Sequence, residues 1–166
     1  MDRLWAPWRL QYVTADDKQP DNKCMFCAKM ESVDDEQNYV IERRQHVFAL
    51  LNIYPYNNGH LMVVPNRHVA EIEELTDDEM LDLMKLVRDM KILLKEKIAA
   101  HGFNIGLNCG TVSGAGIADH LHFHIVPRWA GDTNFMPVLT DTRVIPQSLN
   151  ALYELLAKHL KIVESL

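Results

Sequence analysis

The stretch DHLHFHIVPRW, residues 119–129, places a histidine at every second position with large apolar side chains between them. Period two is the repeat of a β-strand, so Leu121, Phe123 and Ile125 share one face and His120, His122 and His124 the other. One face is made to pack, and the opposite one to carry polar chemistry. Such a strand needs a sheet, and the chain supplies neighbours. NYVIE, HVFALLN, HLMVVP and FNIGLNCG are short, rich in β-formers and bounded by turn sequences such as YPYNNG. The spacing of the first three predicts an antiparallel meander, and FNIGLNCG adds a strand beyond the long helix that follows them. TDDEMLDLMKLVRDMKILLKEKIAAHG predicts a long helix, capped by Thr76 with Glu79 completing a capping box and stopped by Gly102. Met80, Leu83, Met84, Val87, Leu94 and Ile98 line its expected core face. PQSLNALYELLAKHLKIVE predicts a second helix, starting at Pro146 and Ser148. The expected class is α+β, an antiparallel sheet packed with a long central helix and a C-terminal helix.

At 166 residues and 48% hydrophobic, the chain suits a single domain over 1–166. Within it we expect an aromatic segment and loop over 1–23, a core over 24–130, and a C-terminal extension and helix over 131–166. Trp5, Trp8 and Tyr12 need cover from the domain itself or from a partner subunit. The net charge of -6 without a long basic run argues against nucleic-acid partners, but not against a small phosphorylated ligand held by backbone donors. No apolar run reaches the roughly 20 residues of a membrane span, and the N-terminus lacks a signal-peptide pattern, so a cytoplasmic chain with no membrane partner is expected. Three cysteines cannot all pair. Cys24 and Cys27 form a C-x-x-C, which in a reducing compartment points to metal or redox chemistry, while Cys109 is expected to be buried.

Each imidazole needs polar partners, so three on one face exceed what packing alone explains. Alternating histidines on a strand can converge on a metal ion. However, no acidic residue follows closely, and the strand is preceded by SGAG, residues 113–116, whose open backbone suits an anion better.

His120-Leu-His122-Phe-His124-Ile-Val resembles the motif of the histidine-triad superfamily of nucleotide hydrolases and transferases. The resemblance runs from CMFC through NNGHLMVVPNRH to HLHFHIVPRWAGDTNF. LWAPWRLQYV, GFNIGLN and VPRWAGDTNFMPV are similar to the bacterial branch that contains diadenosine tetraphosphate phosphorylases. FALLN, the Gly-His pair and the PR-x-AGD ending are shared with the fragile-histidine-triad hydrolases. Phosphoramidases usually place Asp where this chain has Asn52.

The resemblance implies that His122 is a nucleophile forming a nucleotidyl-histidine. It places His124 and His60 along the α-phosphate and gives His120 the task of orienting the nucleophile. Asn52 matches a ribose contact, Asn108 with Gly114, Ala115 and Gly116 a polyphosphate loop, and Trp129 a position beside the nucleotide. At 115–116 this chain has Ala-Gly, where the phosphorylases tend to have Gly-Ser and the hydrolases Gly-Gln. Zinc-carrying members imply a structural zinc on Cys24, Cys27, His68 and His120; magnesium accompanying the polyphosphate and a homodimer are further expectations. The implied activity is phosphorolysis or hydrolysis of dinucleoside polyphosphates. Two alternatives are a phosphoramidase or adenylyl-conjugate hydrolase, and a non-catalytic nucleotide- or zinc-binding module. His46, His101 and His159 match no functional position and are expected to be solvated or locally hydrogen-bonded.

Overall fold

A computed structural model describes residues 24–132 and 145–163, side chains beyond Lys158 and that of Thr111 aside. It is a mixed α+β structure with one five-stranded antiparallel sheet. The strands are β1 (Val40–Arg43), β2 (Val47–Leu51), β3 (Leu61–Pro65), β4 (Gly102–Leu107) and β5 (Phe123–Arg128). Four α-helices are described: α1 (Met25–Glu31), α2 (Asp35–Asn38), α3 (Asp77–Ile98) and α4 (Leu149–Val163).

The order β1-β2-β3-β5-β4 contains the expected meander as β1-β2-β3. β4 and β5 form a second antiparallel pair, joined to the meander by the pairing of β5 with β3. The 22 residues of α3, about 33 Å of helix, carry the chain across so that β4 forms an edge and β5 enters between β3 and β4. The histidine strand is thereby paired on both sides.

The sheet is covered on both faces, which explains why β2 and β3 read as unbroken apolar runs. Val47, Ala49, Leu51, Leu61, Val63, Leu121 and Ile125 join the core under α3 and α4. Phe48, Leu50, Met62 and Val64 face the other way and pack with Phe26 of α1. The alternation at 121–125 is retained, with Leu121, Phe123 and Ile125 on the side of α3.

Helix α3 begins as its sequence dictates, with Thr76 and Glu79 closing a capping box. Its inner face is Leu83, Leu86, Val87, Met90, Leu93 and Leu94. Met80 and Met84 are exposed by 39% and 50%, so they are not core; the buried stripe is rotated by the need to seat on β2 and β3. The helix stops at Ala99 in the left-handed region (φ 50°), and Gly102 opens β4 instead of ending the helix. Helix α4 starts after Ser148, whose hydroxyl accepts from the Ala151 N–H at 3.3 Å, as the sequence implies.

Helix α1 has no counterpart in the sequence expectations. It is two turns long, too short to stand on its own propensity. Arg43 of β1 donates to the carbonyls of Lys29, Met30 and Ser32, satisfying the open end of the helix, while Phe26 is fully buried against the sheet. The C-x-x-C therefore sits on a firmly anchored turn. The expected packing of Trp5, Trp8 and Tyr12 lies outside the described residues, as do 133–144 of the C-terminal extension.

Candidate active site and metal cluster

Three tethered imidazoles and one cluster of thiols lie on the α1 face of the sheet. His124 belongs to β5 itself and pairs with Met62 of β3 and Gly106 of β4. His120 and His122 precede the first paired residue of that strand, Phe123, so the strand is shorter at this end than its sequence pattern. At the other end it runs through Pro127 to Arg128. Pro127 is tolerated because β3 pairs only as far as Ile125, and the Pro127 carbonyl on that side accepts from Asn57 Nδ2 at 3.1 Å.

Hydrogen bonds assign a tautomer to each neutral ring. His122 Nδ1 lies 2.8 Å from the His120 carbonyl, so Nδ1 carries the proton and Nε2 the lone pair. For His124 the logic is reversed. The Tyr56 backbone N–H donates to His60 Nδ1 at 3.1 Å, His60 Nε2 then donates to His124 Nδ1 at 2.9 Å, and the His124 ring proton is left on Nε2. A nucleophilic nitrogen and an N–H donor thus stand side by side, their ring centroids 4.8 Å apart. Burial pushes both His120 and His122 below the ordinary histidine value, against hydrogen bonds to carbonyls that pull the other way. Both are neutral near pH 7.

His60 is only 1% exposed and both its ring nitrogens are engaged, one by the Tyr56 N–H and the other by His124, so it stands behind His124 in the fold. Gly59 makes this possible. At φ +76°, an added Cβ would meet Ile98 Cδ1 at 2.6 Å, so only glycine lets the turn before His60 press against α3.

His120 is fully buried; its Nε2 donates to the Pro65 carbonyl at 3.0 Å, which directs Nδ1 into the cluster. There His120 Nδ1 is 3.2 Å from Cys24 Sγ, 3.7 Å from Cys27 Sγ and 3.2 Å from His68 Nδ1, and Cys27 Sγ is 3.4 Å from His68 Nδ1. A tetrahedral ion with metal–sulfur bonds of about 2.3 Å and metal–nitrogen bonds of about 2.0 Å requires edges of about 3.5 Å (S to N) and about 3.3 Å (N to N). The four donors fit that solid. Soft thiolates and imidazoles suit zinc and not magnesium, which prefers oxygen. Arg67, next to His68, is tied to Glu79 at 2.8 Å, anchoring this loop to the start of α3.

The remaining sequence candidates are more scattered. Asn52 Oδ1 accepts from the Tyr54 N–H at 2.9 Å, shaping the start of the β2–β3 turn. Asn108 and residues 114–116 lie in the connection from β4 to β5; Asn108 directly follows Leu107, whose pair with Phe123 ends that ladder. Gly114, at φ +84°, ends a 3-10 turn over Thr111–Ser113, and Gly116 is exposed. Trp129 donates from Nε1 to the carbonyls of Ile98 (3.2 Å) and Ala99 (3.0 Å), closing the C-terminus of α3. Cys109 is exposed, contrary to expectation, because the chain leaves the sheet at Leu107. His101 Nδ1 accepts from the Ala130 N–H, a local bond as expected; the His46 backbone N–H donates to Asp82, and the side chain of His159 lies outside the described residues.

Sequence reasoning missed Phe26 and Tyr56. Phe26 lies between the two cysteines, with ring centroids 5.4 Å from His120 and 5.0 Å from His122. Its position inside C-x-x-C was the available signal. Tyr56 bonds His60 through its backbone N–H and lays its ring 4.8 Å from that of His60 and 6.0 Å from that of His124. No described helix is long and apolar enough to cross a membrane.

Comparison with known proteins agrees with this geometry. The HIT domain family matches residues 34–131. An AP-4-A phosphorylase of Mycobacterium tuberculosis is 43% identical over 162 residues, covering 95% of this chain and 83% of that protein. An asymmetrical bis(5'-nucleosyl)-tetraphosphatase of Schizosaccharomyces pombe is 34% identical over 84 residues, covering 51% of this chain and 46% of that protein. Among solved structures, a Zn-bound histidine triad family protein from Mycobacterium smegmatis is 25% identical with a TM-score of 0.68, covering 86% of this chain and 96% of that one.

Proposed function

The chain belongs to the HIT domain family, and from that premise we propose that it is a nucleotidyl-transferring enzyme that cleaves dinucleoside polyphosphates through a covalent nucleotidyl-His122. The observation that carries the reading is the pair of opposed tautomers, with a lone pair on His122 Nε2 beside a proton on His124 Nε2. His122 Nε2 attacks the α-phosphorus in line; the Nε2–P bond forms and the P–O bond to the rest of the polyphosphate breaks, the leaving chain taking the electron pair. The His124 N–H stabilises charge on a phosphate oxygen as it builds. An acceptor oxygen then displaces the imidazole. With diadenosine tetraphosphate, orthophosphate as acceptor gives ADP and ATP, and water gives AMP and ATP.

The phosphorylase is favoured because the similarity to the M. tuberculosis AP-4-A phosphorylase extends over 95% of the chain, including the regions flanking the family match. Asn52 is assigned to the ribose, Asn108 and residues 114–116 to the polyphosphate, and Trp129 to the nucleotide's neighbourhood. Incubation with diadenosine tetraphosphate, with and without orthophosphate, tests this by its products. ADP plus ATP only with orthophosphate establishes the phosphorylase; AMP plus ATP without it establishes a hydrolase and shows that Ala115-Gly116 does not seat the acceptor. Turnover of an adenosine phosphoramidate alone would replace the reading with a phosphoramidase.

Zinc is assigned to Cys24, Cys27, His68 and His120, whose distances suit it. Bound there it supplies a structural crosslink. A homodimer completes the reading: among the described residues β4 is a sheet edge with Ile105 exposed, and α3 carries exposed Leu81, Met84 and Ile92. Sedimentation at the monomer mass would remove this part.

A further inference from the structure

We propose that metal occupancy of the Cys–His cluster sets the orientation of the His122 ring, with His120 and Phe26 as the positioning residues that transmit it. The inference rests on His122 being the nucleophile only for its catalytic consequence.

Residues 120–122 lie outside the sheet ladder, which begins at Phe123, so the sheet does not hold His122. The hydrogen bonds of this segment converge on the cluster. The Leu121 N–H donates to the carbonyl of Val69, which follows His68, at 2.7 Å. His120 Nε2 donates to Pro65, and His120 Nδ1 points at the other three donors. The carbonyl that fixes the tautomer of His122 is that of His120, itself one of the four donors. A second route runs through the helix: Cys24 and Cys27 flank Phe26, whose ring is in contact with that of His122.

Both routes depend on the four donors staying together. The His120 Nδ1 lone pair lies within 3.7 Å of two sulfurs and 3.2 Å from another imidazole nitrogen. Thiol S–H groups are weak donors, so a cation is what turns this crowding into attraction. Without it the peptide between His120 and Leu121 keeps its Pro65 and Val69 bonds and Phe26 its packing on the sheet, but the link that sets the two against each other is lost. His124, held in the ladder and by His60, shares neither route.

The test is a nitrogen-15 spectrum of the histidine rings in the full chain, loaded with zinc alone and then treated with a chelator, with no nucleotide present. The loaded protein should show His122 protonated at Nδ1. Chelation should average its two ring nitrogens and leave those of His124 unmoved, and single-turnover nucleotidyl transfer should fall about 10- to 100-fold, as for other residues that support a site from behind. Unmoved His122 signals in folded, metal-free protein would overturn the proposal, as would a chain that takes up no zinc. If the metal-free chain unfolds, Phe26→Ala examined with zinc bound decides. Averaged His122 signals at unchanged zinc content support the brace; His122 signals like those of the parent overturn it. An inert enzyme with the expected spectral response would instead count against the proposed activity and leave the brace standing.

Discussion

His122 and His124 are two residues apart with ring centroids separated by 4.8 Å, yet different kinds of structure hold them. His124 sits in the sheet, paired on both sides, and its ring is backed by a buried histidine whose own proton is fixed by a backbone N–H. His122 lies one residue beyond the ladder and takes its orientation from a carbonyl, a phenylalanine and a cluster of metal-ligand type. On the proposed function, the donor that stabilises charge is built into the sheet, while the group that makes and breaks a bond is positioned by local braces. Damage to the sheet side and to the cluster side should therefore look different.

The largest expected effect is at the nucleophile. His122→Ala should reduce turnover of diadenosine tetraphosphate to the background while circular dichroism and nucleotide affinity stay close to those of the parent. Measurable catalysis by this variant would end the distinction between the two histidines. Next comes the cluster. Cys24→Ser should lower zinc content and thermal stability together, because the ligand set is also a crosslink between α1, the β3 exit loop and the start of the histidine segment; equal stability with and without zinc would show that no such crosslink exists.

On the sheet side, His60→Phe keeps an aromatic ring but leaves His124 Nδ1 without its donor. We expect kcat to fall about tenfold, with KM little changed and zinc content intact, since only the charge-stabilising donor is loosened. A large rise in KM alone would instead mean that His60 binds substrate directly.

The smallest effect tests a remote anchor. Glu79, buried beside Arg67 and bonded to Thr76, has its carboxyl held down to about 2, chiefly by the Arg67 hydrogen bond. Because the folded value lies below the ordinary carboxylate value, its contribution is complete above about pH 4.5 and is lost as the pH falls toward 2. Arg67 is half exposed, so solvent screening makes the contribution modest. Glu79→Gln should lower the melting temperature at pH 7, by an amount that shrinks below about pH 4.5 and vanishes only as the pH approaches 2. A constant difference across that range would contradict the assignment.

Much of this arrangement was legible in the sequence because it follows from local rules. The period-two pattern assigned the faces of residues 121–125, and Thr76 with Glu79 marked the start of α3, since each depends on neighbours a few positions away. What sequence could not show were effects set by tertiary contact. The end of the ladder at Phe123, the exposure of Met80 and Met84, and the stability of α1 depend on how far β3 and β4 extend, how α3 rolls on the sheet, and where Arg43 reaches. The four metal-type donors were named from the family resemblance, and the fold gathers them; that His60 is sealed behind His124 emerged only from its burial.

The central claim is that one imidazole of the three becomes covalently nucleotidylated. Wild-type protein mixed with diadenosine tetraphosphate without orthophosphate, quenched in base within a single turnover and mapped by peptide mass spectrometry, tests it most directly. The account predicts an adenylyl group on His122 that disappears when orthophosphate is added. Turnover with no adduct, or an adduct on His120 or His124, would contradict it.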